Sequence, residues 1–191
     1  MKPKIKIRKA VLKDSESIAP LLLLAMEDIV FKFIGEEDPL KARNFLFHFL
    51  KLENNQYSYQ NCFVAEIDNT IVAAVNIYDG SNLESLREPV KNFIEINFGK
   101  PFTPEDETET GEYYIDSIGV DTQYRGLGIG SKLLLSLINF YVTNRNQTLG
   151  LLVVEENNIA KNLYLKLGFK IEGFKILLGE KLIHLQLKNR L

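Results

Sequence analysis

The segment Val120-Asp121-Thr122-Gln123-Tyr124-Arg125-Gly126-Leu127-Gly128-Ile129-Gly130-Ser131 constrains this chain more than any other. It joins a β-rich run, Tyr113 to Val120, to a stretch in which Ile129, Leu133, Leu137 and Tyr141 recur four apart. That pattern reads as a strand turning into an amphipathic helix. Glycines let the backbone turn tightly and approach a ligand with no Cβ in the way. The first helical turn adds unpaired N–H groups and the positive end of the helix dipole. Together these make an anion site suited to phosphate. The plain alternative is a packing turn at a strand–helix junction.

Three phosphate-loop patterns can be tested against these residues. A Walker loop, G-x-x-x-x-G-K-[ST], started at Gly126 would need glycine where Ser131 stands, so it fails. A dinucleotide fingerprint, G-x-G-x-x-G, is met by Gly126 and Gly128 but fails again at Ser131. The acid it needs about 20 residues on is absent, since Asn144, Asn146 and Gln147 occupy that region. The third pattern, Q/R-x-x-G-x-G/A, is met in full by Gln123-Tyr124-Arg125-Gly126-Leu127-Gly128.

Composition narrows the classes of function. The 191 residues carry 23 Lys plus Arg against 25 Asp plus Glu, a formal charge of −2. A near-neutral chain lacks the basic footprint of a general nucleic-acid binder. Cys62 is the only cysteine, so no internal disulfide forms. His48 and His184 are far apart with no metal-ligand spacing around them, so no metal site is expected. The most apolar stretch, Leu21 to Met26, runs into Glu27 and Asp28 and is too short for a membrane span. The basic start alternates as Lys4-Ile5-Lys6-Ile7-Arg8, which fits a strand better than a signal peptide. A cytoplasmic chain of one domain, residues 1–191, is expected.

Local patterns then order the elements. Strands are expected at 5–10, 62–67, 70–78, 113–120, 149–154, 169–174 and 181–187. Helices are expected from Asp14, from Pro39, and over 83–98, 129–142 and 157–167. Pro20 is awkward in the first helix, which should start late or kink there. Asp68-Asn69 reads as a two-residue hairpin turn. The order β-α-α-β-β-α-β-α-β-α-β-β predicts an α/β (α+β) fold.

A second motif lies downstream, Asn157-Asn158-Ile159-Ala160-Lys161-Asn162-Leu163-Tyr164-Leu165-Lys166-Leu167-Gly168-Phe169. With the glycine loop before it, the chain resembles the GNAT superfamily of N-acetyltransferases, whose N-x-x-A-x-x-L-Y-x-x-x-G-F segment these residues match. The opening Ile7-Arg8-Lys9-Ala10 and the hairpin from Ala65-Glu66 to Ile71-Val72 also fit. The likeness is weakest over residues 82–112, an insertion between the third and fourth strands that could form a lid or a dimer contact. The resemblance implies a mixed, mostly antiparallel sheet of about seven strands flanked by helices. It implies acetyl-CoA as co-substrate, and a small-molecule or peptide amine as acceptor. It offers no role for nucleic acid or a membrane.

The resemblance also assigns roles. The backbone of Arg125, Gly126, Leu127, Gly128, Ile129, Gly130 and Ser131, with Gln123 before it, would cradle the pyrophosphate. Ile118, Gly119 and Val120 would pair with the pantetheine arm, and a backbone N–H near Ile118 would face the oxyanion. Asn157 matches a cofactor contact and is equally a helix N-cap. Arg125, Lys132 and Lys161 approach the phosphates on one reading and are solvated on the other. Tyr164 would protonate the departing thiolate. Asp116 is the candidate base, since a primary ammonium with a pKa of about 10.4 must lose a proton. Strand alternation puts it on the face of Tyr114 and Ile118, and an ordinary exposed strand Asp is the competing reading. Glu27, Glu66 and Glu112 are weaker candidates. Glu105, Asp106, Glu107, Glu109 and Glu112 form either an acidic mouth for an amine or, by preference, a solvated loop. A non-catalytic acyl-CoA binder of the same fold is the alternative to an enzyme.

Overall fold

The computed structural model describes residues 4–189. Strand β1 (Ile5–Lys9) leads into helix α1 (Ser15–Ile34). Helix α2 (Pro39–Leu50) follows, started by Asp38, whose side chain accepts from the N–H groups of Leu40 and Lys41, and by Pro39 in the first turn. Strands β2 (Cys62–Ile67) and β3 (Thr70–Asp79) form a hairpin. Its turn residues, Asp68 and Asn69, both take positive φ, as a tight right-twisted hairpin requires. Then come α3 (Leu83–Phe98), β4 (Glu112–Val120), α4 (Ile129–Leu137), β5 (Thr148–Val154), α5 (Asn158–Lys166), β6 (Lys170–Leu177) and β7 (Glu180–Leu187).

The order is the expected one, with three local differences. Helix α1 runs straight through Pro20, which sits on the exposed face near exposed Glu16, so the carbonyl left unpaired there is open to water. The break falls instead at Met26, whose backbone leaves the helical region (φ −137°, ψ 23°). Helix α4 stops at Leu137 and continues as a π turn over Ile138–Thr143, a widening that keeps Tyr141 and Val142 buried. Strand β6 runs on to Leu177 because it pairs along its length with β7.

The sheet order is β1-β2-β3-β4-β5-β7-β6. Every neighbouring pair is antiparallel except β4 and β5. One apolar core lies under α1, α2 and α3, with Ile18, Leu22, Phe45, Phe49, Val90 and Ile94. The other lies under α4 and α5, with Ile129, Leu133, Leu137, Tyr164 and Ile183. Burial on both faces explains why Leu149 to Val154 is continuously apolar.

Two features of β4 position everything that follows. It pairs with β5 at only four positions, from Glu112↔Thr148 to Ile115↔Leu151. Beyond Ile115 the two strands part, and β5 pairs on with β7 to Val154. At the same point the pairing of β4 with β3 slips, because Ser117 faces Asn76 while Ile115 faces Ile77. Asp116 is therefore the extra residue of a β-bulge.

Candidate active site

The bulge corrects the expected placement of Asp116. In a regular strand Tyr114, Asp116 and Ile118 would share one face. Here the extra residue reverses the alternation. Tyr114 and Asp116 look toward α1, whereas Ile118 and Val120 pack against the core under α4. Gly119 now faces α1 so closely that a Cβ would stand 1.8 Å from the Leu21 carbonyl oxygen. No side chain fits there, so the glycine is set by packing of β4 on the α1 backbone.

On the other side of this strand lies the glycine loop. Gly126 and Gly128 hold φ values of +77° and +73°, in the left-handed region that a side chain disfavours. A Cβ on either would meet nothing within 4 Å, so conformation and not crowding requires glycine at both. The N–H of Lys132 bonds back to Gly128, but among the described residues no protein acceptor takes the N–H groups of Gly126 to Ser131. Gln123, Arg125, Leu127 and Gly128 are exposed; Ile129 is buried in the core and Tyr124 packs partly buried against it. The edge of β4 that turns away from β5, including Ile118 to Val120, is likewise unpaired on that side. A glycine cradle of free donors beside a free strand edge fits a chain of phosphates joined to an amide-bearing arm. Asn157 caps α5, its Oδ1 accepting from the N–H of Ala160 at 3.1 Å, which leaves its amide NH₂ free of that bond. Lys161 Nζ donates to the Glu155 carbonyl at 2.7 Å, and Arg125 and Lys132 are solvated.

Tyr164 projects from α5 into the core under α4, edge-on to Phe169 with ring centroids 5.9 Å apart. Its hydroxyl makes no hydrogen bond among the described residues, and burial pushes its pKa up to about 12. It is a protonated phenol at neutral pH, on the sheet face opposite the Asp116 side chain.

The Asp116 carboxyl is not alone. Gln56 Nε2 lies 2.6 Å from Glu107 Oε1 and 3.3 Å from Asp116 Oδ2. Tyr78 Oη lies 2.9 Å and 3.3 Å from the same two oxygens. Two carboxyls thus share two donors. Glu107 is held by Arg87, which bonds to its Oε2, to Asp106 Oδ1 at 2.9 Å, and to the carbonyls of Pro104 and Glu105. Burial first, and the charge of Glu107 second, push Asp116 up to about 7. Tyr57, Tyr78 and Tyr114 around it are all raised by burial, with Asp116 adding to the effect.

The acidic segment therefore is not the solvated loop preferred from sequence. Glu105, Asp106 and Glu109 are exposed, but Glu107 and Glu112 are 4% and 2% exposed. Glu112 accepts from Thr108 Oγ1 at 2.7 Å and Gln186 Nε2 at 2.7 Å, and lies 2.9 Å from His184 Nε2. These partners hold it below the usual carboxylate range despite its burial. Glu66 is paired with Arg8 at the sheet edge, and Glu27 is exposed on α1, so neither joins the cluster. Gln56, Tyr78 and Arg87 were missed from sequence, and Glu107 was named there only within the acidic stretch read by preference as a solvated loop. The hydrogen-bonded pairs among them are 20 to 51 residues apart, and nothing local marks them. Cys62 is fully buried, its thiol pushed up to about 12 by desolvation. Among the described residues no group of three His, Cys, Asp or Glu stands in metal-binding array, and no helix is long and apolar enough to cross a membrane.

Known proteins share this fold. The chain is similar to the N-acetyltransferase from Staphylococcus aureus Mu50, with a TM-score of 0.80 and 25% identity, over 95% of this chain and all of that one. It is similar to a further acetyltransferase crystal structure, with a TM-score of 0.78 and 29% identity, over 97% of this chain and all of that one. A stretch of 64 residues is 39% identical to the N-alpha-acetyltransferase RimI of Mycobacterium tuberculosis, spanning 34% of this chain and 39% of the relative's length. A family model for the acetyltransferase (GNAT) family matches residues 24–169, which takes in α2 to α5, the bulged strand and the glycine loop: the chain belongs to the GNAT acetyltransferase family.

Proposed function

We propose that the chain is an acetyl-CoA-dependent N-acetyltransferase that acetylates a primary amine by direct attack. The observation that carries this reading is the position of Asp116. Its carboxyl sits at the point where β4 leaves β5, beside the free strand edge that runs into the glycine cradle. Acetyl-CoA, when bound, supplies an acetyl group on a thioester carbon.

The chain's residues supply the rest. The N–H groups of Gly126 to Ser131 hold the pyrophosphate, and the edge of Ile118, Gly119 and Val120 pairs with the pantetheine amides. The unoccupied amide of Asn157 offers a further donor. Asp116, with a pKa near 7, is an effective acceptor for the proton the amine must lose at neutral pH. A backbone N–H near Ile118 faces the carbonyl oxygen as it gains charge. The bound ammonium gives one proton to Asp116 and becomes a free amine; a carbon–nitrogen bond then forms and a carbon–sulfur bond breaks, Tyr164 protonates the departing sulfur, and the second nitrogen proton passes to water, which reprotonates Tyr164. Cys62, buried and protonated, takes no part.

The test is release of free thiol from acetyl-CoA across a panel of amines, with Tyr164→Phe beside the wild type. The expected result is amine-dependent release and a fall of kcat of about 100-fold in the variant, with acetyl-CoA affinity in calorimetry unchanged. Binding of acetyl-CoA with no amine raising thiol release above hydrolysis would instead identify a non-catalytic acyl-CoA sensor.

A further inference from the structure

We infer that the acceptor is an aryl- or alkylamine without a carboxylate: one ammonium on an apolar body. The inference rests on the reading above and deepens it. The pocket that opens onto Asp116 is apolar on its walls, formed by Met26, Ile29, Phe33, Tyr57, Phe102 and Leu177. The break in α1 at Met26 lies in one wall, and Phe33 and Phe102 stand edge to face with centroids 4.8 Å apart in another. Side by side in its lining stand Asp116 and Glu107, the two carboxyls that share Gln56 and Tyr78. The charged lining residues, Asp116, Glu107 and Arg87, are thus gathered in one hydrogen-bonded cluster, and the other walls carry no charge, as a single ammonium with a greasy tail would require.

Arg87 decides between classes of amine. It is the one cationic residue among those lining the pocket. Both of its terminal nitrogens are spent on the 104–107 segment: Nη1 on Pro104 and Asp106, Nη2 on Glu105 and Glu107. An amino acid would bring its carboxylate within a few ångströms of Asp116 and Glu107 with no free cation to meet it. A polyamine would place a second ammonium against apolar walls, because the two lining carboxyls stand together on the same two donors and no other carboxyl lines the pocket. The cavity volume of about 50 Å³ admits the amine end, and leaves the tail against half-buried Ile29 and Leu177.

The experiment compares kcat/KM for phenethylamine, phenylalanine, phenylalaninamide, spermidine and a tetrapeptide with a free N-terminal Met. Phenylalanine adds only the carboxylate to phenethylamine, and the amide removes its charge. Expected is a preference for phenethylamine over phenylalanine of about 100-fold, largely restored by phenylalaninamide, with spermidine and the peptide both poorer than phenethylamine. Ile29→Arg, which places a cation in the wall, should narrow the gap between phenethylamine and phenylalanine. Equal or better turnover of phenylalanine, spermidine or the peptide overturns the inference. If no amine is turned over, the proposed activity has failed, and calorimetry of the same amines in the presence of CoA still decides the pocket. Phenethylamine bound more tightly than phenylalanine and spermidine supports the inference there; the reverse order, or no binding of phenethylamine, overturns it.

Discussion

Asp116 carries two opposed consequences of one environment. It faces Glu107, Tyr57, Tyr78 and Tyr114, with the buried Cys62 close enough to feel its charge and Arg87 behind Glu107. Burial and Glu107 raise it to about 7, so the ionised form that accepts a proton fills only as pH rises through neutrality. The log of kcat/KM should rise with pH to a plateau above about 7, and Glu107→Gln should move that midpoint down. A midpoint unmoved by Glu107→Gln would show that Glu107 does not tune Asp116. The same shift costs stability. A carboxyl whose folded pKa is raised favours the fold while protonated, and that advantage is lost between the ordinary aspartate range and about 7. Asp116→Asn should therefore melt higher than wild type at pH 8, by about 2 kcal/mol, with the gap closing toward pH 4, and should lose at least about 100-fold in kcat. Paired thermal melts at the two pH values check the sign.

At the scale of elements, what sequence discloses is what short-range physics decides. Periodicity and caps locate the helices, because apolar spacing and the first-turn residues act within a few positions of each other. Pro39 and Asp68-Asn69 are local signals, and both stand where they point. The glycine loop is local too, and its two left-handed residues follow from it. The face of Asp116 is not local. It depends on how β4 registers against β3, some forty residues earlier, and a slip of one residue there reverses the alternation. The same holds for Glu107 and Gln56, which meet only after α3 has folded back. Gly119 gives a test at this scale. Its missing side chain lets β4 lie on the α1 backbone at Leu21, and backbone cannot step aside as a flexible side chain can. Gly119→Ala should cost about 3 kcal/mol in urea unfolding, while Gly130→Ala, in helix α4 with its Cβ in ordinary contact with Val120 at 3.5 Å, should be neutral or slightly stabilising, since a helix favours alanine over glycine.

At the scale of the whole molecule, the parting of β4 and β5 opens a cleft and weakens the sheet at its middle. Four paired positions join β1 to β4 on one side with β5 to β7 on the other. The segment from Gly99 to Gly111 reinforces that joint from the α1 side. It is tied to α3 through Arg87. It is tied to β6 and the turn after it through Glu109 with Lys175, and through Glu105, which accepts from the N–H of Leu178 at 2.8 Å. Glu112 completes the tie. From β4 it receives Thr108 of the segment together with His184 and Gln186 of β7, and Gly150 on β5 leaves it room, since a Cβ there would stand 1.9 Å from its carboxyl. One buried carboxylate thus joins the segment to both halves of the sheet. Glu112→Gln keeps the volume and removes the charge that these donors satisfy, so it should lower unfolding free energy by about 2 kcal/mol at pH 7. Glu112 is held below the usual carboxylate range, so its contribution is present above the unfolded pKa and fades as pH falls through the lower folded value. The gap between wild type and Glu112→Gln should therefore narrow as pH drops below about 4. Amide exchange should quicken in 99–111 and along the four shared positions of β4 and β5, and stay slow at the far side of the sheet in β2 and β3. A uniform loss of protection across all seven strands would show that Glu112 supports the fold at large and not this joint.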